Sequence, residues 1–327
     1  MKHLSILIPR GHTSLVNIAG AHQIFNMVNQ MRAGMDKPPI FDVHLVGLEE
    51  EVPQSTGLFS ASPDSLIQEV DETDLIIIPA IHDDPQKGYE QNKAFVPWIV
   101  EQYKAGAEVA SFCVGAFFLA ETGLLDGKQC ATHWQHANNF KEMFPEVELV
   151  DEKIMTEEDG IYTSGGAYAF TDLLLHLIEK YAGREEAILA SKTFSLDISR
   201  ESQSDFIIFE GQKNHEDQKV KQAQNYIENN YQDELTVDEL AEKLAVSRRT
   251  LERRFKKATQ NTITEYKQRV KVEAAKRDLE TSRKNVSEVM YEVGYSDTKS
   301  FRNLFKRITG LTPVDYRDKY NKEMSVA

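Results

Sequence analysis

The chain has 327 residues, of which 41% are hydrophobic and 28% charged, and its net charge is −14. That length suits about two domains. The composition excludes a disordered chain, a collagen and a coiled-coil rod. The longest nearly apolar run, Val109 to Ala120, covers 12 residues, short of the ~20 that a membrane helix needs. Lys2 to Pro9 reads as a first strand and not as a secretory signal. Cys113 and Cys130 are too few for a disulfide framework, so a reducing cytoplasm is the expected compartment.

The charge is unevenly placed. Residues 1–218 hold 15 Lys+Arg and 35 Asp+Glu, a net of −20. Residues 219–327 hold 23 and 17, a net of +6. The chain as a whole is too acidic for nonspecific nucleic-acid binding, but its C-terminal third is a basic module.

In chain order, Leu4–Ile8, Phe41–Val46, Leu75–Ile78 and Glu108–Phe112 read as strands. Leu15–Met31, Asn92–Ala105 and Val114–Glu121 read as helices between and after them, and Gly166–Tyr181 and Glu185–Thr193 as two more. Strands alternating with helices predict a parallel sheet covered on both faces. The polar stretch Gly211–Gln218 is the linker candidate. The organisation expected is an α/β domain over 1–211, a linker at 212–218 and an all-helical domain over 219–327.

The helical part contains a repeat. Val237–Leu244 is a short amphipathic helix opened by a capping box, Thr236 with Glu239. After a turn, Ser247 caps a helix over Arg248–Ala258 that has Leu251 and Phe255 on one face and basic residues on the other. About 50 residues on, Val286–Val293, a turn through Gly294, and Thr298–Thr309 repeat the pattern. Phe255-Lys256-Lys257 aligns with Phe305-Lys306-Arg307, and Tyr266 with Tyr316. The helix Ile263–Glu280 between the units spans ~27 Å. Two helix-turn-helix units on such a spacer could enter successive major grooves, ~34 Å apart. Ser247, Arg248, Arg249 and Arg253 in the first unit, and Thr298, Lys299, Arg302 and Asn303 in the second, are the candidate base readers. Lys256 and Lys306 are candidate phosphate contacts.

Ser287 to Asp297, followed by Phe301, Phe305-Lys306-Arg307, Gly310, Thr312-Pro313 and Tyr316-Arg317, resembles the signature of AraC/XylS-type transcription regulators. The resemblance covers about 219–320. It implies seven helices, two helix-turn-helix units and double-stranded operator DNA as partner. RNA polymerase and a second copy of the chain are further expected partners.

Cys113 follows a strand and opens a helix, with Ser111 and Gly115 two residues to either side. A sharp strand-to-helix elbow needs such small neighbours. Cys113 can be read as a nucleophile, a redox sensor, a pocket wall or a buried small hydrophobe.

The wider run Cys113–Lys128, Thr132-His133-Trp134, Thr163-Ser164-Gly165-Gly166, Asp172–His176 and Ser199–Phe206 resembles the PfpI-like, class I glutamine-amidotransferase-like superfamily. Joined to the AraC-type part, it resembles the GlxA-like group of regulators. This implies a flavodoxin-like parallel-sheet sandwich with a pocket at the carboxyl ends of the strands. The superfamily's enzymes commonly carry His after the Cys, an acid in the first helix-entry loop, and a Gly pair after the middle strand. Here Val114, Asn17 and Pro79-Ala80-Ile81 stand in those places.

The expectation is therefore no enzyme, and a ligand pocket at Cys113, Asn17, His133, Gly115, Ala80 and Ile81. His133 can be a base or a histidine bonded to a neighbour. His82, Asp83 and Asp84 read as a solvated loop. No spacing argues for a metal, and no cofactor is expected. The chain reads as a sequence-specific DNA-binding transcription regulator controlled by a small-molecule or redox signal. The alternative is a cysteine-dependent hydrolase or amidotransferase-like enzyme with a DNA-binding tail.

Overall fold

A computed structural model describes residues 1–54, 59–197, 202–213 and 215–321. They fall into two compact units, Met1–Gln203 and Ser204 onward. Ser199, Arg200 and Glu201 lie outside the described residues.

The first unit is built on β1 (Lys2–Ile8), α1 (Leu15–Ala33), β2 (Phe41–Gly47), β3 (Val52–Gln54), β4 (Phe59–Ala61), β5 (Ser65–Leu66), β6 (Leu75–Ile78), α2 (Pro85–Asn92), α3 (Phe95–Ala105), β7 (Glu108–Ser111) and α4 (Gly115–Ala120). It continues through β8 (Gln129–Cys130), α5 (Ala137–Met143), β9 (Glu148–Leu149), β10 (Met155–Glu158), β11 (Ile161–Ser164), α6 (Phe170–Ala182) and α7 (Arg184–Phe194). Seven strands form one sheet in the order β10-β11-β7-β6-β1-β2-β5. Every pairing is parallel except β10 with β11.

Alternation along the strands sorts two cores. Leu4, Ile6, Ile77 and Ala110 meet Phe25 of α1 and Leu173 and Leu177 of α6. Leu7, Ile76, Ile78 and Val109 meet Trp98 and Ile99 of α3, Phe117 of α4 and Phe140 of α5. Each fully buried Leu or Phe contributes about 1.5–3 kcal/mol by leaving water. β1 pairs with β2 on one side and with β6 on the other, so the chain reverses its direction of travel across the sheet there. A crevice at the carboxyl ends of the strands is expected beside such a reversal.

The second unit holds α8 (Gln218–Asn229), α9 (Val237–Lys243), α10 (Arg248–Thr259), α11 (Ile263–Thr281), α12 (Val286–Glu292), α13 (Thr298–Thr309) and α14 (Pro313–Tyr320). The units divide at Gln203/Ser204 and not at the expected 211/212. The reason is packing. Phe209 meets Tyr266 edge-on at 5.1 Å, and its N–H donates to Glu273 at 3.1 Å. Lys276 donates to the Ile207 carbonyl at 2.5 Å. The expected linker also belongs to this unit: Asp217 caps α8, and Lys213 pairs with Glu228 at 2.5 Å.

Among the described residues, no helix is long and apolar enough to cross a membrane.

Candidate functional site

The helical unit is two copies of one design. Leu240 and Val289 are buried at the same place in α9 and α12. Leu251 and Phe255 of α10 match Phe301 and Phe305 of α13, all buried. Thr259 donates to the Phe255 carbonyl at 2.8 Å, and Thr309 to that of Phe305 at 2.9 Å. Each copy closes on a tyrosine. Tyr266 donates to Glu228 at 2.6 Å and Tyr316 to Glu280 at 2.5 Å. Thus α11 serves both copies, as the closing helix of the first and the support of the second. At ~1.5 Å per residue its 19 residues run ~28 Å.

The turns between paired helices place Ala245 at φ +51° and Gly294 at φ +74°. This left-handed backbone suits the glycine and strains the alanine.

These inner contacts leave the opposite faces of α10 and α13 exposed. Arg249, Arg253 and Lys256 lie on the first, and Lys299, Arg302, Asn303 and Lys306 on the second, all exposed. Arg249, Arg253, Lys299, Arg302 and Asn303 have no side-chain hydrogen bond or ion pair among the described residues. Two expected readers are otherwise engaged. Arg248 pairs with Asp238 at 2.9 Å and Glu252 at 3.0 Å. Ser247 caps α10, accepting the Thr250 N–H at 3.2 Å. Thr298 is exposed in the first turn of α13. Lys256 reaches the Gln260 carbonyl at 2.7 Å. Glu252, exposed beside Arg253 and aligned with Arg302, was not among the sequence candidates.

In the α/β unit, Cys113 turns the chain from β7 into α4 at φ +55°. Its N–H donates to the Ser164 carbonyl at 3.1 Å, and Thr132 donates to its carbonyl at 2.9 Å. Gly115 is required because a Cβ there would lie 2.7 Å from the Pro79 carbonyl oxygen. Asn17 Oδ1 accepts the Ala80 N–H at 3.1 Å, tying the start of α1 to the end of β6. Burial pushes the Cys113 thiol up to about 12, against its helix-opening position. Cys130, also buried, is pushed up to about 12 for the same reason.

His133 is half-buried and stacks on Trp134 at 5.5 Å; its Nδ1 accepts the Gln135 N–H at 3.2 Å. Burial, then the imidazoles of His136 and His82, hold it down to about 4.

A cavity of about 240 Å³ opens beside this elbow, where the segments after β6 and β7 meet α2, α4 and α5. Ile81, Tyr89, Val114, Phe117 and Phe118 give it apolar walls, and His82, Asp83, Asp84, His136 and Asn139 a polar edge. Of the six residues expected in a pocket, Ile81 lines it. Cys113, Gly115, Ala80 and Asn17 are buried in the elbow and loop that carry its walls, and His133 is not in the lining. His82, Asp83 and Asp84, read from sequence as a solvated loop, do lie in a loop, with His82 and Asp84 exposed, and they also form one side of the cavity. Asp84 caps α2, and Asp83 accepts the His12 N–H at 2.6 Å and pairs with Lys87 at 2.6 Å. The aromatic residues Phe117 and Phe118 were legible as helix core, but that they border a void depends on α2 and α5.

Residues 240–319 match the model of the helix-turn-helix domain family, and residues 35–180 that of the DJ-1/PfpI family. Over 308 residues, the chain is 26% identical to the HTH-type transcriptional regulator GbdR of Pseudomonas aeruginosa, covering 93% of this chain and 81% of that protein. The chain is a DNA-binding transcription regulator that joins an N-terminal DJ-1/PfpI domain to a helix-turn-helix domain.

The regulator is also 26% identical over 217 residues to the HTH-type transcriptional regulator GlxA of Rhizobium meliloti, covering 65% of this chain and 66% of that one. Its fold resembles the crystal structure of an AraC family transcriptional regulator from Pseudomonas putida, with a TM-score of 0.51 at 17% identity. That likeness covers 59% of this chain and 100% of the other.

Proposed function

We propose that this DNA-binding regulator reads an asymmetric site with α10 and α13 in successive major grooves, and that a small molecule in the α/β cavity controls it. Arg249 and Arg253 read bases in one groove, and Lys299, Arg302 and Asn303 in the next. Arg is suited to guanine and Asn to adenine. Lys256 and Lys306 bind phosphate, while Ser247 and Arg248 order the first helix. A homodimer would read the site as a repeat, with RNA polymerase as a further partner, in the cytoplasm.

The observation that carries this reading is the repeat itself. Two helices of equal length turn Leu251 and Phe255, and Phe301 and Phe305, into the core and present on their outer faces Arg249, Arg253, Lys299 and Arg302, which have no side-chain hydrogen bond or ion pair among the described residues.

The effector has an apolar body for Phe117 and Tyr89 and a polar group for His82, His136 or Asn139. The α/β unit works by binding and not by turnover. Cys113 is held as a neutral thiol, and the His133 lone pair at Nδ1 is occupied by the Gln135 N–H. The cysteine-hydrolase reading is favoured by one feature, the positive φ of Cys113 at a strand-to-helix elbow.

Selection of bound sites from a random DNA pool with the full chain tests the proposal. It expects two unlike half-sites about one helical turn apart. A single short site, or no enrichment, would count against it.

A further inference from the structure

The pairing of β1 with β2 brings together three side chains that lie far apart in sequence. His3 is opposite Asp42 in this parallel register, and Ser5 opposite His44. His3, Asp42 and His44 therefore project from one face, near the amino-terminal ends of their strands. The cavity lies at the other end, after β6 and β7. Among the described residues, these three form a group whose potential ligand atoms all lie within 4.8 Å of one another.

Their geometry is partly set for a metal. His44 Nε2 is 3.0 Å from Asp42 Oδ1. Two donors that far apart, each ~2.0–2.1 Å from a zinc ion, subtend an angle of about 95°. The His3 ring stacks on His44 with centroids 4.6 Å apart and planes 17° from parallel. To close on an ion, the His3 ring would have to pivot toward Asp42 and His44 with its Nδ1 kept on Thr73.

Thr73 fixes which nitrogen of His3 is available. Its hydroxyl donates to the His3 carbonyl at 3.0 Å and accepts from Ser5 Oγ at 3.0 Å. Having spent its proton, it faces His3 Nδ1 at 3.1 Å as an acceptor. That holds the proton on Nδ1 and leaves the Nε2 lone pair for a ligand. Such outer oxygen partners orient histidines at metal sites. All three candidate ligands are half-buried, so each keeps part of its surface open to solvent.

We propose that His3, Asp42 and His44 form a binding site for a zinc-class divalent ion, with its remaining coordination positions open to solvent. Two imidazoles and a carboxylate suit such an ion better than calcium or magnesium, which favour oxygen donors.

The test is equilibrium dialysis of the chelator-treated full chain against micromolar Zn2+, with bound zinc counted. The proposal expects about one zinc per chain, and a thermal midpoint that rises with zinc because the ion binds the folded state. The double variant His3→Gln/His44→Gln should retain none and show no rise, while His176→Gln, remote in sequence, keeps both properties. Thr73→Val should weaken binding at least about tenfold. Failure of the parent chain to retain zinc, or equal retention by the double variant, would overturn the site. Should the double variant not fold, electron paramagnetic resonance of the Cu2+-loaded parent chain decides. Coupling to two imidazole nitrogens is expected, and its absence contradicts the assignment.

Discussion

Arg254, in the middle of α10, forks onto Asp217 at the start of α8, with Nε 2.7 Å and Nη2 2.6 Å from the two carboxylate oxygens. The same carboxylate accepts the N–H groups of Lys219 and Val220 at 3.1 Å each. One residue thus caps a helix and anchors the back of the first recognition helix.

Asp217→Ala should destabilise the chain by about 1–2 kcal/mol, from the lost cap and a partly exposed ion pair. Asp217→Asn should cost less, because an amide oxygen still caps. The bond from Arg254, with the N–H groups of α8, holds this carboxyl below its usual range. Its contribution is therefore full above the usual aspartate value near ~4 and is lost as pH falls through the lower folded value. Urea unfolding at pH 7 and pH 3 checks this: the gap between parent and Asp217→Ala should shrink at low pH.

Lys276 and Glu273 are a buried pair 3.0 Å apart on α11, and they hold the Ile207 carbonyl and the Phe209 N–H. Lys276→Met should cost about 3–5 kcal/mol, since it leaves a buried carboxylate uncompensated. Lys276→Met/Glu273→Leu should recover part of that loss in the same unfolding experiment.

Gly115→Ala should cost about 1–3 kcal/mol, because the new methyl meets the backbone oxygen of Pro79 and neither strand end can move freely. Gly115→Leu should prevent the elbow from forming. Chemical unfolding followed by tryptophan fluorescence measures the first, and soluble expression reports the second.

Cys113 should resist alkylation in the native protein. With its thiol pushed up to about 12, the thiolate fraction at pH 8 is on the order of one in ten thousand. Iodoacetamide with mass spectrometry should find Cys113 labelled only after unfolding. Rapid native labelling, together with Cys113-dependent turnover of amide or aldehyde substrates, would restore the hydrolase reading.

The helical unit was the more legible half. Its capping box, Thr236 with Glu239, is local in sequence and forms as read. So do the buried pairs Phe255/Phe305 and Tyr266/Tyr316, because a repeat states each position twice. In the α/β unit the apolar strands β1, β6 and β7 were readable. The antiparallel pair β10–β11 was not, since Met155–Glu158 carries little apolar pattern and is held by its neighbour. Helix α2 was missed because Asp83 and Asp84 resemble loop residues until Asp84 is seen to cap it. A pocket near Cys113 was expected from the family resemblance, but most of the cavity's lining and the His3–Asp42–His44 group were not legible, for one reason. Both depend on which strands and helices become neighbours, and spacing along the chain does not carry that.

The central claim is that α10 reads bases. Site selection from a random pool should be repeated with full-length Arg249→Ala and Lys306→Ala. Arg249→Ala should relax preference at one or two base pairs, at a cost of ~1–3 kcal/mol for a bidentate contact. Lys306→Ala should weaken all sequences alike and reduce the salt dependence by about one unit. If Arg249→Ala lowers affinity uniformly and leaves the preferred site unchanged, Arg249 is a phosphate contact and the assignment of α10 is wrong.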